Sequence, residues 1–172
     1  PDLENPDWRT LCRATWRAME KLYEEGVFRA IGVSNFLPHH IENIAVSGNV
    51  APAVNQIEFH PGYPQLETVS YCQEHSILPQ AWSPLGRTRV LCDPLIETLS
   101  ENYGKTPAQL CLCYALMHGV MPLPKASSAD RMRENLDAAS FSMEPEDVAV
   151  LDGMETTGWS GLHPDRERVL TV

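Results

Sequence analysis

The sequence predicts an α/β protein built on a parallel sheet. Four short segments rich in β-branched and aromatic residues alternate with segments whose apolar residues recur at helical spacing. Such alternation places crossover helices between parallel strands. Polar residues also follow each predicted strand: Ser34-Asn35, Glu58 with His60, Trp82-Ser83, and Lys125-Ala126-Ser127. Functional side chains at the carboxyl ends of successive strands are typical of a (β/α)8 barrel, of which four strands make half.

An open, doubly wound sheet is the alternative closure for the same alternation. A nucleotide-binding sheet of that kind carries a Gly-x-Gly-x-x-Gly turn after its first strand. The sequence contains no such turn. The polar strand ends therefore favour the half-barrel.

The first repeat of the pattern covers residues 10–46. Leu11, Ala14, Ala18 and Leu22 have helical spacing, which predicts a helix over 10–25 that ends at Gly26. Residues 27–33 read as a strand. A helix over 39–46 follows, and the residues before Trp8 read as a loop.

Later repeats carry similar signals. Strands are predicted over 53–59, 77–82 and 120–124, the last of these unusually rich in proline. Helices are predicted over 66–75, 94–102, 107–118, 131–136 and 145–154, with a long loop over 83–90. Thr106 and Pro107 have the residue types that begin a helix, and Glu144 to Asp147 show an acidic start.

Composition narrows the class of protein. The chain has 172 residues, 43% of them hydrophobic, and a formal net charge of −10. One domain over residues 1–172 is expected. The negative charge argues against nucleic-acid and anionic-membrane partners, and the apolar runs are too short to span a bilayer. Five irregularly spaced cysteines and no signal-peptide pattern predict reduced thiols and a cytoplasmic location, and scattered histidines predict no metal site.

Four motifs in order resemble the carboxyl-terminal half of an aldo-keto reductase. They span much of the chain between about Trp8 and Pro164. The motifs are Gly32-Val33-Ser34-Asn35-Phe36, Asn55-Gln56-Ile57-Glu58-Phe59-His60-Pro61, Trp82-Ser83-Pro84-Leu85-Gly86, and Leu123-Pro124-Lys125 followed by Arg131-x-x-Glu134-Asn135. The resemblance implies the carboxyl-terminal half of a parallel (β/α)8 TIM barrel, which a missing amino-terminal half would complete.

The resemblance also implies a nicotinamide cofactor site. In it, Ser34, Asn35 and Gln56 would bind the carboxamide, and Trp82, where most of the family has Tyr, would stack on the nicotinamide ring. The remaining expected cofactor contacts are Ser83, Leu85 and Gly86 at the pyrophosphate, Lys125, Ser127 and Arg131 around the ribose and its 2′-phosphate, and Glu134 and Asn135 at adenine. Each could instead have a purely structural role, as a strand-end cap or a solvated surface charge.

The sequence departs from the family pattern after Lys125. The family often has Ser and then a cationic phosphate contact there, whereas this chain has Ala126-Ser127-Ser128. Losing one charge-assisted contact is worth roughly 1.5–3 kcal/mol. Lys125 and Arg131 remain, so NADP(H) is favoured, with NAD(H) as the alternative.

A second departure concerns catalysis. None of the residues matches the family's catalytic Asp, Tyr, Lys and His, so no catalytic residue is assigned. Two functions stay open: the cofactor-binding half of an NAD(P)H-dependent enzyme that reduces small aldehydes, ketones or keto-sugars, and a non-catalytic nucleotide-binding or inert fragment. Exposed strand edges are unfavourable in water, so we expect an amino-terminal half-barrel in the same or another chain. Trp159 could line the substrate pocket or pack at the rim.

Overall fold

A computed structural model of the chain describes residues 7–166. Its four strands are β1 (Val33–Ser34), β2 (Val54–Glu58), β3 (Leu78–Trp82) and β4 (Met121–Pro122). They form one parallel sheet in chain order, β1-β2-β3-β4. Seven α-helices accompany the sheet: α1 (Trp8–Glu24), α2 (Pro38–Ala45), α3 (Leu66–Glu74), α4 (Pro94–Tyr103), α5 (Pro107–Met117), α6 (Ala129–Asp137) and α7 (Pro145–Asp152). The predicted parallel α/β class is confirmed.

The register of the sheet places the site motifs side by side. Ser34 of β1 lies opposite Gln56 of β2, and Gln56 lies opposite Gln80 of β3. Glu58 and Trp82 form the last pair of the β2–β3 ladder. Because parallel strands all point the same way, the four motif segments leave the sheet at one end.

Helix starts follow the side-chain chemistry of their first residues. The carboxylate of Asp93 accepts a hydrogen bond of 2.9 Å from Leu95 N–H at the start of α4. Thr106 and Gln109 form a reciprocal capping box at the start of α5. Ser128 caps α6 through Arg131 N–H. These interactions satisfy backbone donors that would otherwise lack partners.

Two local predictions are corrected. The strand expected over 27–33 is reduced to Val33–Ser34, and Val27 and Phe28 are exposed. Among the described residues, this segment pairs with β2 only, so few backbone hydrogen bonds are available to stabilise a longer strand. The loop expected over 83–90 contains the 3₁₀ helix Gly86–Cys92, in which Arg87 and Thr88 have left-handed backbone angles.

The two faces of the sheet are covered unequally. Ile57 and Ala81 are buried against the helices, and α5 contributes five buried residues to this core: Leu110, Cys111, Cys113, Tyr114 and Ala115. A helix that is apolar all round is expected in such a position. On the opposite face, Leu78 is 39% exposed and Met121 is 45% exposed. Within residues 7–166, helices therefore cover one face of the sheet and leave the other face open.

No helix in the described part of the chain is long and apolar enough to cross a membrane. The five cysteines at positions 12, 72, 92, 111 and 113 are free thiols in the structure. Burial raises the pKa of the Cys111 thiol to about 12, so this sulfur is an inert core group.

Candidate functional site

Trp82 ends β3 and is hydrogen-bonded across β2 to Asn35, which follows β1. Its indole Nε1–H donates to Asn35 Oδ1 over 2.7 Å, joining residues 47 positions apart. Asn35 itself has a φ of 54°, in the left-handed region that asparagine tolerates better than most residues. The Asn35 backbone N–H donates to Gln56 O over 2.9 Å, which holds this residue at the end of the sheet.

The hydrogen bonds continue from Asn35 across the sheet. Asn35 Nδ2 donates to Ser34 Oγ over 3.2 Å, and Ser34 Oγ donates to Gln56 O over 3.0 Å. Gln56 Nε2 donates to Gln80 Oε1 over 3.3 Å. The structure therefore brings together four of the predicted site residues in one network. We call Trp82, Asn35, Ser34 and Gln56 the strand-end network.

The turn after Trp82 has the tight backbone that its sequence indicates. Ser83 has a φ of 52°, Gly86 has a φ of 51°, and Gly86 N–H donates to Ser83 O over 2.8 Å. The Leu85 side chain packs against the core, so its expected pyrophosphate contact would be made by the backbone. Arg87 and Arg89 are exposed on the following 3₁₀ helix, and no motif in the sequence marked either of them.

Close contact with the tail fixes this turn in place. A Cβ atom added to Gly158 would lie 3.2 Å from Gly86 Cα and 2.6 Å from Val90 Cγ1. Both glycines have positive φ angles. A pair of glycines therefore lets two backbone segments approach more closely than side chains would allow.

The second group of predicted residues lies between β4 and α6. Lys125, Ser127 and Arg131 are exposed at the start of this segment. Asn135 lines an apolar groove of about 390 Å³ together with Met132 and Leu136 of α6 and residues of α5 and β4. The structure thus gathers polar and cationic groups at the start of α6, next to the strand end of β4.

Glu134 makes a contact that the sequence did not reveal. Thr106 Oγ1 donates to Glu134 Oε1 over 2.7 Å, and Gln109 Nε2 donates to Glu134 O over 3.2 Å. Glu134 therefore joins α6 to the start of α5. Its second carboxylate oxygen is not used in this bond, and its contact with adenine stays a prediction.

The tail residue Ser160 is bound to the end of β2. Glu58 is 2% exposed, and its carboxylate accepts from Ser160 N–H over 2.9 Å and from Ser160 Oγ over 2.6 Å. His60, also buried, faces Pro61 O through Nδ1 at 2.8 Å and lies 3.5 Å from Glu58 Oε1. Glu58 and His60 belong to a motif found in the sequence, but their partner Ser160 had no sequence signal.

Trp159 precedes Ser160 and lies at the same end of the sheet as the Glu58–Ser160 contact. Its ring stacks on Tyr63 with centroids 5.4 Å apart, and its Nε1–H donates to Leu162 O over 3.1 Å. The side chain is partly exposed. The packing role considered for Trp159 is thus present, and a substrate-lining role stays a prediction.

Within residues 7–166, one side-chain cluster has the spacing of a metal-ligand set: His39, His40 and Asp165. Asp165 Oδ1 lies 3.0 Å from His39 Nε2 and 2.9 Å from His40 Nε2. However, Leu37 N–H donates to His40 Nδ1 over 3.0 Å, so the neutral ring carries its proton on Nε2. That nitrogen would need a free lone pair to bind a metal. We therefore assign the cluster to holding the tail against α2.

Comparison with known proteins identifies the class. The model of the aldo/keto reductase family matches residues 2–156. The chain belongs to this family. The names of its similar relatives describe oxidoreductases. The predicted resemblance is confirmed.

Individual relatives make the match more specific. Glyoxal reductase of Bacillus subtilis (strain 168) is 40% identical over 151 residues, covering 88% of this chain and 55% of that protein. The crystal structure of Gox0644 in its apo form matches with a TM-score of 0.84 and 35% identity, covering 91% of this chain and 58% of that one. A mutant of Gox0644 in complex with NADPH matches with a TM-score of 0.81 and 36% identity, over 87% and 56% of the two chains. The chain thus spans about half the length of the curated relatives it matches.

Proposed function

We propose that this chain supplies the cofactor-binding half of an NADP(H)-dependent enzyme that reduces a small aldehyde, ketone or keto-sugar by hydride transfer. The observation that carries the proposal is the strand-end network, which puts an aromatic face and several amide and hydroxyl groups at one end of a parallel sheet. A flat ring bearing a carboxamide can stack on an aromatic face and form hydrogen bonds with amide and hydroxyl groups. The NADPH complex of a relative supports the same cofactor class.

The residues of the network fit a nicotinamide group in their remaining hydrogen-bonding capacity. Asn35 Nδ2 and Gln56 Nε2 each use one N–H within the protein, and an amide nitrogen has two. Bound NADP(H) would supply the hydride. Exposed Arg87, Lys125 and Arg131 would bind the anionic part of the cofactor, and the two cations near α6 favour NADP(H) over NAD(H).

Three of the described tyrosines, Tyr63, Tyr103 and Tyr114, do not suit the general-acid role that carbonyl reduction needs. Tyr103 donates to Asp147 and Tyr114 donates to Asp152. Burial, followed by hydrogen bonding to these carboxylates, raises the pKa of both phenols. Burial and Glu58 likewise raise the pKa of Tyr63. A general acid works best with its pKa lowered towards the working pH, so we propose that the proton donor comes from outside this segment.

An amino-terminal half-barrel is the partner that the open surfaces of this chain fit. An apolar groove of about 370 Å³ beside β1 and the groove of about 390 Å³ beside β4 flank the two edges of the sheet. The open face between them carries Leu78 and Met121. Four further strands would pair both edges and cover this face.

The free thiols agree with the proposed cytoplasmic location.

The first test is titration of the completed protein with NADPH and NADH while following tryptophan fluorescence. Stacking on Trp82 should quench its emission. Trp82→Phe should remove most of the quenching and weaken NADPH binding about ten- to a hundredfold, because phenylalanine lacks both part of the indole ring face and the N–H that bonds to Asn35. Trp8→Phe removes an indole on α1 that packs against His40 and serves as the control. Quenching that survives Trp82→Phe, or no binding of either cofactor, would contradict the site.

A non-catalytic nicotinamide-nucleotide-binding protein is the alternative, because the strand-end network offers cofactor contacts while no proton donor is assigned in this segment. Oxidation of NADPH in the presence of small aldehydes, ketones and keto-sugars separates the two functions. Turnover supports the reductase. Binding of NADPH without turnover, from an intact full-length protein, supports the alternative.

A further inference from the structure

We propose that the indole N–H of Trp82, as distinct from its ring face, is a positioning group that fixes the side-chain amide of Asn35 for the nicotinamide carboxamide. The inference rests on the proposed function, because it assigns a task within the same site. Its basis is the direction of the hydrogen bonds in the strand-end network.

The direction follows from which atoms can donate. An indole N–H only donates, so the Asn35 atom 2.7 Å from it must be the acceptor Oδ1. Asn35 Nδ2 then donates to Ser34 Oγ. The hydroxyl of Ser34 in turn donates a hydrogen bond to Gln56 O, a carbonyl that only accepts. All three bonds are satisfied with the amide in this orientation.

The opposite orientation of the Asn35 amide is disfavoured by the same chemistry. A flipped amide would turn two N–H donors towards each other across 2.7 Å, at Asn35 and Trp82. A hydroxyl in place of the indole N–H could donate or accept, and so would accept either amide orientation. Because the indole N–H of Trp82 can only donate, it selects one of the two orientations of the Asn35 amide.

The selected orientation matters for the ligand. It leaves the second Nδ2–H of Asn35 unused, and Gln56, which lies opposite Ser34 in the sheet, also has an unused N–H. A carboxamide oxygen accepts from two such donors. The Asn35 backbone, with a φ of 54°, is fixed by its N–H bond to Gln56 O, so side-chain rotation is the main freedom that Trp82 removes. Removing it before the ligand arrives lowers the cost of binding.

The test replaces Trp82 site-specifically with 3-benzothienylalanine in the completed protein. This residue keeps the bicyclic ring face and has sulfur in place of the N–H. We expect affinity for NADPH to fall about three- to tenfold, the size of one neutral hydrogen bond. Affinity for adenosine 2′,5′-bisphosphate, which lacks the nicotinamide, should stay unchanged. Equal NADPH affinity in both proteins would overturn the inference while leaving the stacking role intact.

A double-substitution cycle shows whether the effect passes through Asn35. Asn35→Gly removes the amide and tolerates the positive φ. In this background, the benzothienyl replacement should cause no further loss of NADPH affinity. The same threefold or larger loss in both backgrounds would overturn the positioning role.

A measurement on the cofactor-free protein distinguishes failure of the positioning role from failure of the proposed function. In the free protein, the Trp82 indole proton should exchange with solvent more slowly than in the Asn35→Gly variant, as seen by ¹⁵N NMR. Fast exchange in the unaltered protein would overturn the inference alone. A protected indole proton in a protein that binds neither NADPH nor NADH would overturn the proposed function, and the positioning role with it.

Discussion

His40 is a buried titratable residue whose charge state matters for stability. It is fully buried at the start of α2, in contact with Trp8, Phe36, His39 and Asp165. Burial, and then the neighbouring His39, lower its pKa to about 4, although Asp165 opposes the shift. The folded protein therefore holds this ring neutral at pH values where an unfolded chain protonates it.

The sign of the resulting pH dependence is fixed. Between pH 6.5 and about 4 the unfolded chain binds the proton and the folded one does not, so the free energy of unfolding falls as the pH falls. The loss approaches about 3 kcal/mol at pH 4. Urea unfolding across this range should show a flatter profile in His40→Asn, whose side-chain oxygen can still accept from Leu37 N–H. His75→Asn, at an exposed position, is the control, and an unchanged slope in His40→Asn would contradict the assignment.

At the residue scale, the sequence singled out the residues of the strand-end network but not their mutual contacts. Motif resemblance selected Ser34, Asn35, Gln56 and Trp82, which the structure joins. The bond between Asn35 and Trp82 depends on strand register across 47 positions, and no local pattern encodes that. Ser160 was missed for the same reason, because its partner Glu58 lies 102 positions away.

At the scale of elements, Gly32 explains how β1 approaches β2. A Cβ atom at this position would lie 2.5 Å from Val54 Cγ2 and 2.8 Å from Val54 O. Val54 belongs to β2, which is paired on both sides and has little room to move. Packing at this point therefore requires glycine for space.

Gly32→Ala should lower the free energy of unfolding by about 1–3 kcal/mol through overpacking. Gly153→Ala is a matched control, because the added Cβ would meet its nearest neighbour, Val150 O, at an ordinary 3.6 Å. Both values come from chemical denaturation of the two variants. Equal stability of the two would show that β1 can move away from β2 at little cost.

Element types were more predictable than element lengths. Helices were found where caps and prolines marked them, as at Asp93 and Thr106. The segment over 27–33 has strand-forming residues, yet strand pairing needs a neighbour on the correct side as well as propensity. The left-handed angles at Arg87 and Thr88 also had no signal, because neither residue type favours them.

At the scale of the whole molecule, exposed apolar groups form grooves beside both edges of the sheet. Leu136 of α6 is 77% exposed and lines the groove beside β4. Under the proposed half-barrel arrangement, this side chain is covered in the completed protein. An aspartate there would then be buried without a partner, which is costly.

Leu136→Asp should therefore have opposite effects in two settings. It should reduce self-association of the isolated segment in light scattering, and it should destabilise the completed protein by about 2–4 kcal/mol. Val46, equally exposed at 77% at the end of α2 and outside both grooves, provides the control as Val46→Asp. If Leu136→Asp leaves the completed protein as stable as Val46→Asp does, the groove is not an interface.

The half-barrel architecture could be predicted because the alternation of elements and the polar strand ends are local patterns. The proposed partner half could not be derived in the same way, because this chain shows only apolar grooves and exposed apolar area on its own side.

The contact between Glu58 and Ser160 has a consequence for the order of folding. The two residues are 102 positions apart, and a chain is synthesised from its amino end. Glu58 therefore leaves the ribosome long before its partner exists. A carboxylate cannot be sealed from water without its hydrogen bonds, so this end of β2 should stay hydrated until the tail docks. Tail docking would then be among the last steps of maturation, and the turn packed at Gly86 would gain its final rigidity at the same moment.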